Sequence, residues 1–226
     1  MVVDFRAMRS FGTTFPARRL PGAALLAALA LALSAAGPEA KVGPGENARP
    51  KLRISHAGEL LVASPAMPDP RFRESVVLLL QHDEGGALGL IVNRVLARVK
   101  PAELFAQHGL EAPAGGGEVE VHYGGPVDPD RGFVLHSAEG SPPPLIRVNE
   151  RVGVSPVEQV LRAMARGEGP RRAVFMVGYA GWGPGQLEEE MRRGAWFTAP
   201  ADEDILFDPA QATKWRRAME RRFRTL

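Results

Sequence analysis

The chain has 226 residues, a formal net charge of +2, 45% apolar and 24% charged residues, a globular composition with room for one or two domains. It contains no cysteine, which excludes disulfides, thiolate metal sites, a cysteine nucleophile and a lipidated cysteine. Residues 1–53 carry eight basic and three acidic side chains, residues 214–226 six and one, and residues 54–213 fourteen and twenty-two; with an acidic middle, direct nucleic-acid binding is not expected there.

Arg6, Arg9, Arg18 and Arg19 precede an uncharged, Ala/Leu-rich run from Leu20 to Gly37, and Ser34-Ala35-Ala36 offers small residues for cleavage. Basic, apolar, small is the order of a signal peptide. Residues 1–36 therefore read as an export segment, cleaved after Ala36 or kept as a marginal membrane anchor, since a spanning helix needs ~20 apolar residues. The alternative is a start codon assigned too early, which returns the protein to the cytoplasm. Residues 37–53 read as a Pro/Gly-rich linker and residues 54–226 as the folded domain.

Glu59 to Ala63 predicts a short strand, and the three prolines of Ser64-Pro65-Ala66-Met67-Pro68-Asp69-Pro70 a stiff extended loop. Ser75 to His82 and Ala87 to Asn93 are buried-strand runs joined by Asp83-Glu84-Gly85-Gly86, a hairpin pattern. Pro101 to His108 predicts a helix ended by Gly109. Val119 to Tyr123 alternates as a half-exposed strand. Asp128 to Gly132 reads as a turn into Phe133 to His136, giving a second hairpin. Ser155-Pro156-Val157-Glu158 has the form of a capping box opening a helix to Arg166. Ala173 to Val177 is a strand, and Gly178 to Gly185, with four glycines and a proline, a fixed turn launching a helix from Gln186 to Arg193. Ala195-Trp196-Phe197 starts another strand. Ala212, Trp215, Met219 and Phe223 stripe a last helix, whose arginines make it the basic C-terminal element. Hairpins with interspersed helices and no β–α alternation predict an α+β fold with a mostly antiparallel sheet.

The glycine-rich turn is a poor phosphate cradle: Pro184 lacks an N–H, and Glu188, Glu189 and Glu190 repel an anion. It reads as a rigid corner with Tyr179 and Trp182 packed on neighbouring strands. His56, His82, His108, His122 and His136 are not spaced as helical metal ligands, although His82, His122 and His136 fall near strand ends where they could converge. No metal or cofactor is expected. Ser64 and Ser75 lack the nucleophile-elbow pattern. The basic C-terminal helix is expected to dock on the domain through its apolar stripe, with membrane contact through it or through residues 20–37, or nucleic-acid contact through its arginines, as the alternatives.

These segments together resemble the YqgE/AlgH family over residues 55–226. The carriers are Leu60 to Met67 with Asp69, Phe72 and Ser75-Val76-Val77; His82; Gly86 to Arg94; Gly124-Gly125-Pro126-Val127; Phe133 to His136; and Gly178 to Glu188 with Trp196. The resemblance implies a compact α+β fold with a bent, partly barrel-like sheet flanked by helices. It also implies a bacterial and usually cytoplasmic protein, labelled a transcriptional regulator without an established DNA-binding motif or catalytic activity. Val95 stands where members often carry proline, and the N-terminal extension departs from the family. The expected function is a non-catalytic binding or regulatory module for a protein or small-molecule partner. Its surface would be built from Pro65, Asp69, Phe72, Ser75, Asn93, His136, Tyr179, Trp182 and Gln186. The rival is a hydrolase using His136 with a nearby carboxylate or hydroxyl.

Overall fold

The apolar runs pair with one another. The computed structural model describes residues 55–139 and 143–222. Its strands are β1 (Glu59–Ala63), β2 (Val76–Asp83), β3 (Gly86–Ile91), β4 (Val95–Val99), β5 (Val119–Tyr123), β6 (Val127–Ser137), β7 (Ile146–Arg147), β8 (Val152–Pro156), β9 (Ala173–Trp182) and β10 (Trp196–Pro200). Its helices are α1 (Pro101–Ala106), α2 (Val157–Ala165), α3 (Gln186–Arg192), α4 (Glu203–Leu206) and α5 (Gln211–Glu220), with a 3-10 turn at Pro70–Phe72. Among the described residues the strands form one sheet in the order β10-β1-β2-β3-β9-β6-β8-β7, with β5 on β9 and β4 on β5. The pairing is antiparallel except between β5 and β9. Leu60 and Val62 of β1 share one buried cluster with Val152 and Val154 of β8, from the far side of the strand order. The sheet therefore curls part-way to a barrel, and the fold is a single α+β domain with helices on its flanks.

β1, β2 and β3 are buried on both faces, which is why their sequences show no polar alternation. Leu60, Val62, Leu78 and Leu90 fill the inner cluster. Leu61, Val77, Leu79 and Ile91 face outward and are covered by Leu187 of α3 and Trp196 of β10. Further along the sheet, Val121, Val134 and Phe175 are covered by Phe105 of α1 and by Val160 and Leu161 of α2. Each such side chain, fully buried, stabilises the fold by about 1.5–3 kcal/mol relative to exposure.

β9 joins the two halves of the sheet. Its first half takes β5 on one edge (Val121 opposite Phe175), its second half takes β3 (Ala87 opposite Trp182), and β6 runs along the other edge. The expected hairpin between residues 119–123 and 133–136 is thus corrected: β5 and β6 do not pair, because β9 lies between them. Gly124 and Gly125 carry the chain over β9, and a Cβ on Gly125 would lie 2.1 Å from the Tyr179 carbonyl carbon. The supposed turn at Asp128 to Gly132 is a bulge inside β6, where the register shifts between Val127 and Gly132. Gly178 to Trp182 is likewise strand, so only Gly183 to Gly185 turns.

Two local readings also change. The capping box at Ser155 does not form: Pro156 is the N-cap of α2 without a side-chain cap bond, because the Ser155 hydroxyl is engaged by His136 and the Leu145 N–H. The buried stripe of α5 is rotated, with Lys214 and Ala218 inside and Ala212 outside. Trp215 still docks as expected, its indole N–H donating to the Ala63 carbonyl at 2.8 Å. The export-like segment 1–36, the linker 37–53 and Phe223 lie outside the described residues. No helix among the described residues is long and apolar enough to cross a membrane.

Candidate functional site

A cleft of about 490 Å³ opens where the loop after β1 faces the β9–α3 corner. Its walls are Ala66 to Asp69, Arg71 and Phe72 on one side, and Gly181, Trp182, Gln186, Glu190 and Arg193 to Ala195 on the other, with Pro126 and Val127 between. Three aromatic rings support it. Phe72 lies 6.2 Å from Trp182 and 5.5 Å from Trp196, and the two indoles meet edge to face at 5.8 Å. One carboxylate ties this group together: Glu190 Oε2 accepts from Trp182 Nε1 at 2.9 Å and from Trp196 Nε1 at 2.8 Å. Its other oxygen accepts from Gln186 Nε2 at 2.9 Å, while Gln186 Oε1 accepts the Gly183 N–H and so clamps the turn before α3.

The opposite wall is held by ion pairing and by a conformational lock. Asp69 accepts the Arg71 N–H and two bonds to the Arg71 Nε and one to Nη2. The Arg71 guanidinium holds the Asp69 carboxyl below the usual carboxylate range. Arg94 reaches across from the end of β3 and donates to the carbonyls of Arg71 and Arg73. Asn93 does the same one residue earlier, accepting the Val76 N–H at 2.9 Å and donating to the Glu74 carbonyl at 2.8 Å. These bonds fix Glu74 at φ 53, a left-handed conformation rare for a residue with a Cβ. Tyr123 sits behind this wall, its phenol pushed up by burial against the opposing pull of Arg94 and Arg71.

The structure brings Asp69, Phe72, Trp182 and Gln186 together in the cleft and separates the other expected residues from it. Pro65 is exposed next to it. Ser75 is fully buried behind the loop, its hydroxyl without a hydrogen-bond partner among the described residues. Asn93 shapes the loop from below. Tyr179 is in the inner core, edge-on to Phe133 at 6.4 Å. His136 is also buried, far from the cleft in sequence and lining no part of it, with Nε2 3.0 Å from Ser155 Oγ and Nδ1 2.9 Å from the Ser137 carbonyl. The three strand-end histidines do not converge: His82 stacks on His56 and accepts its N–H, and among the described residues no three metal-binding side chains form a group.

Residues 60–224 match the family model described as DUF179, AlgH-like. The chain belongs to the AlgH-like family. A UPF0301 protein of Paracoccus denitrificans is 43% identical over 166 residues, 72% of this chain and 87% of that protein. A UPF0301 protein of Rhodospirillum rubrum is 39% identical over 76% of this chain and 92% of its own length. The solution structure of the AlgH protein from Pseudomonas aeruginosa superposes with a TM-score of 0.62 at 36% identity, covering 78% of this chain and 92% of that one. The crystal structure of protein DIP2367 from Corynebacterium diphtheriae, at 24% identity and a TM-score of 0.58 over 74% of this chain and 87% of its own, shares the fold.

In this AlgH-like chain the residues that sequence reasoning missed are the charged ones that do structural work. Glu190 belongs to the second turn of α3 and points at the tryptophans instead of repelling an anion at the helix start; the Gln186–Glu190 spacing of four was its one visible signal. Lys214, buried on α5, donates to the carbonyls of Val92 at 2.9 Å and Leu206 at 3.2 Å. Burial pushes its amine down to about 8. Nearby His122 is pushed down to about 4 by burial and by Lys214, against the pull of Glu120. Neither group reaches the cleft, and neither could be placed inside without knowing the strand order.

Proposed function

We propose that this AlgH-like protein is a non-catalytic binding module of regulatory type, with its ligand in the cleft between residues 66–72 and the β9–α3 corner. One observation carries the reading: the acidic side chains of the cleft are already committed to each other's neighbours within the protein. Asp69 is saturated by Arg71, and Glu190 by two indoles and Gln186. A general acid or base needs a proton it can exchange with a substrate, within hydrogen-bond reach of it. These carboxylates instead hold a rigid, half-aromatic wall, and rigidity lowers the ordering cost of binding. The test is a mixed small-fragment screen followed by amide chemical shifts. Responding amides are expected to cluster at 66–72, 181–190 and 193–195, and to stop responding in folded Trp182→Leu and Phe72→Ala variants. Hits that map elsewhere, or that bind both variants normally, would remove the cleft as the site.

The hydrolase alternative has the His136–Ser155 contact in its favour. Against it stand the burial of both residues, at 0% and 1% exposure, and the second bond of the Ser155 hydroxyl to the Leu145 N–H. Treatment of the native protein with a fluorophosphonate probe decides it. Covalent label on Ser155 would establish an activated serine, and its absence would leave the pair as a cross-strand bond between β6 and β8.

A further inference from the structure

Among the side chains of the cleft, the charged groups with hydrogen-bonding capacity to spare are chiefly donors. Asp69 accepts from three N–H groups, all of Arg71, with the Nε–H shared between its two oxygens, which occupies most of its lone pairs. Glu190 has three of its own taken. The donors are less fully used. A guanidinium carries five N–H groups, and Arg71 spends only Nε and Nη2 on Asp69. Arg193 meets Glu189 through Nε at 2.6 Å, and the same carboxylate is shared with Arg192. Both guanidinium groups line the cleft and are exposed, at 64% and 72%. Between them the surface is apolar and aromatic: Met67, Phe72, Trp182, Pro126 and Val127. The guanidinium carbon of Arg71 stands 5.9 Å from the Phe72 ring centre, so charge and ring face the same space.

From this asymmetry we infer that the cleft takes a small monocarboxylate with an apolar or aromatic body. The body lies against Phe72 and Trp182 and the carboxylate accepts from Arg193 and from the free edge of Arg71. A volume of about 490 Å³ falls in the range of small-molecule sites. A cationic ligand would find the lone pairs of Asp69 and Glu190 largely occupied and the guanidinium groups of Arg71 and Arg193 beside it. An uncharged ligand of the same body would lose the charge-assisted bonds. The inference rests on the cleft being the binding site, and adds the chemical class of the ligand.

The experiment uses three probes with one body and different charge: phenylacetate, phenylacetamide and phenethylamine. Each is titrated into the isotope-labelled full chain while the indole N–H resonances of Trp182 and Trp196 and the amides of Ala66 and Gly194 are followed. Phenylacetate is expected to shift these resonances with an affinity about tenfold above that of the other two, one charge-assisted bond's worth. Arg193→Gln, an exposed change that leaves the tryptophan anchors intact, is expected to weaken phenylacetate by about tenfold and leave phenylacetamide unchanged. Arg192→Gln, outside the cleft, should change neither. Equal affinity of the amide or the amine, an Arg193→Gln variant that binds phenylacetate normally, or no shift with any probe overturns the carboxylate inference. If the amine or amide shifts the same resonances preferentially, the cleft remains the site and only its ligand class falls. If phenylacetate shifts residues elsewhere, both fall.

Discussion

Two indole N–H groups end on a single oxygen of Glu190 within an otherwise apolar corner. An indole has one hydrogen to donate and no means of accepting one, so Glu190→Ala leaves two donors, on indole side chains of residues only 5% and 3% exposed, without their partner. Each unmet buried donor costs about 1–3 kcal/mol, and urea unfolding of Glu190→Ala is expected to show a loss of roughly 3 kcal/mol. Glu190→Gln keeps an oxygen for the indoles and should lose about 1 kcal/mol. An alanine variant as stable as the parent would show that the two tryptophans are held by packing alone. His122 supplies a pH signature at the same scale. Its imidazole titrates at about 4 in the folded protein because burial and Lys214 disfavour the cation, against 6.5 as the ordinary value. The unfolded chain therefore binds the extra proton between these values, so stability is full above pH 6.5 and falls as the pH drops towards 4. The difference corresponds to roughly 3 kcal/mol. Thermal melts across that window should follow it, and His122→Asn should flatten the curve; an unchanged slope in that variant would assign the effect to other groups.

At the scale of elements, β9 depends on a backbone crossing that only glycine permits. Gly125, at φ +154, passes so close to Tyr179 that a Cβ would overlap the carbonyl carbon at 2.1 Å. Gly109 is a fair control, since it also has positive φ, +66, but faces open space. Gly109→Ala should cost about 1–2 kcal/mol, the strain of a left-handed alanine. Gly125→Ala should cost at least about 3 kcal/mol and shift the Tyr179 resonances, because two main chains must separate. Equal costs for the two would mean that the crossing gives way easily. The same crossing marks the limit of what could be read beforehand. Strand runs such as Ser75 to His82 and Ala87 to Asn93 announce themselves because burial on both faces makes their centres continuously apolar. The insertion of β9 between β5 and β6 leaves no local mark, and the Asp-Pro-Asp-Arg-Gly stretch has turn chemistry whether it makes a turn or a bulge. Of the candidate cleft, Asp69, Phe72, Trp182 and Gln186 were legible as loop and corner residues. Arg71, Arg193 and Glu190 were not, because charged residues at helix and turn positions ordinarily face solvent.

For the whole molecule, function turns on which side of a membrane this domain works on. The described domain is compatible with either: it has no cysteine to be oxidised or reduced, and its core is closed by its own helices. Positions 1–36 carry basic, apolar and small residues in the order of an export segment. We propose that this segment exports the domain, with Gly37 to Arg53 serving as a spacer. Export bears directly on function. A domain outside the cytoplasm cannot touch the chromosome, and one whose residues 54–213 carry fourteen basic and twenty-two acidic groups has little electrostatic attraction to it in any compartment. A cleft that binds a small carboxylate, in contrast, can work on either side. The deciding measurement is the N-terminus of the protein recovered from cells expressing the full chain, read by mass spectrometry of the intact protein. A mass that begins at Gly37, recovered outside the cytoplasm, is the expected result. A chain that retains Met1 in the soluble cytoplasmic fraction would defeat export, and so would a start within residues 2–36 that no cleavage after Ala36 can produce. In either case regulation inside the cell would become the setting in which the cleft must be explained.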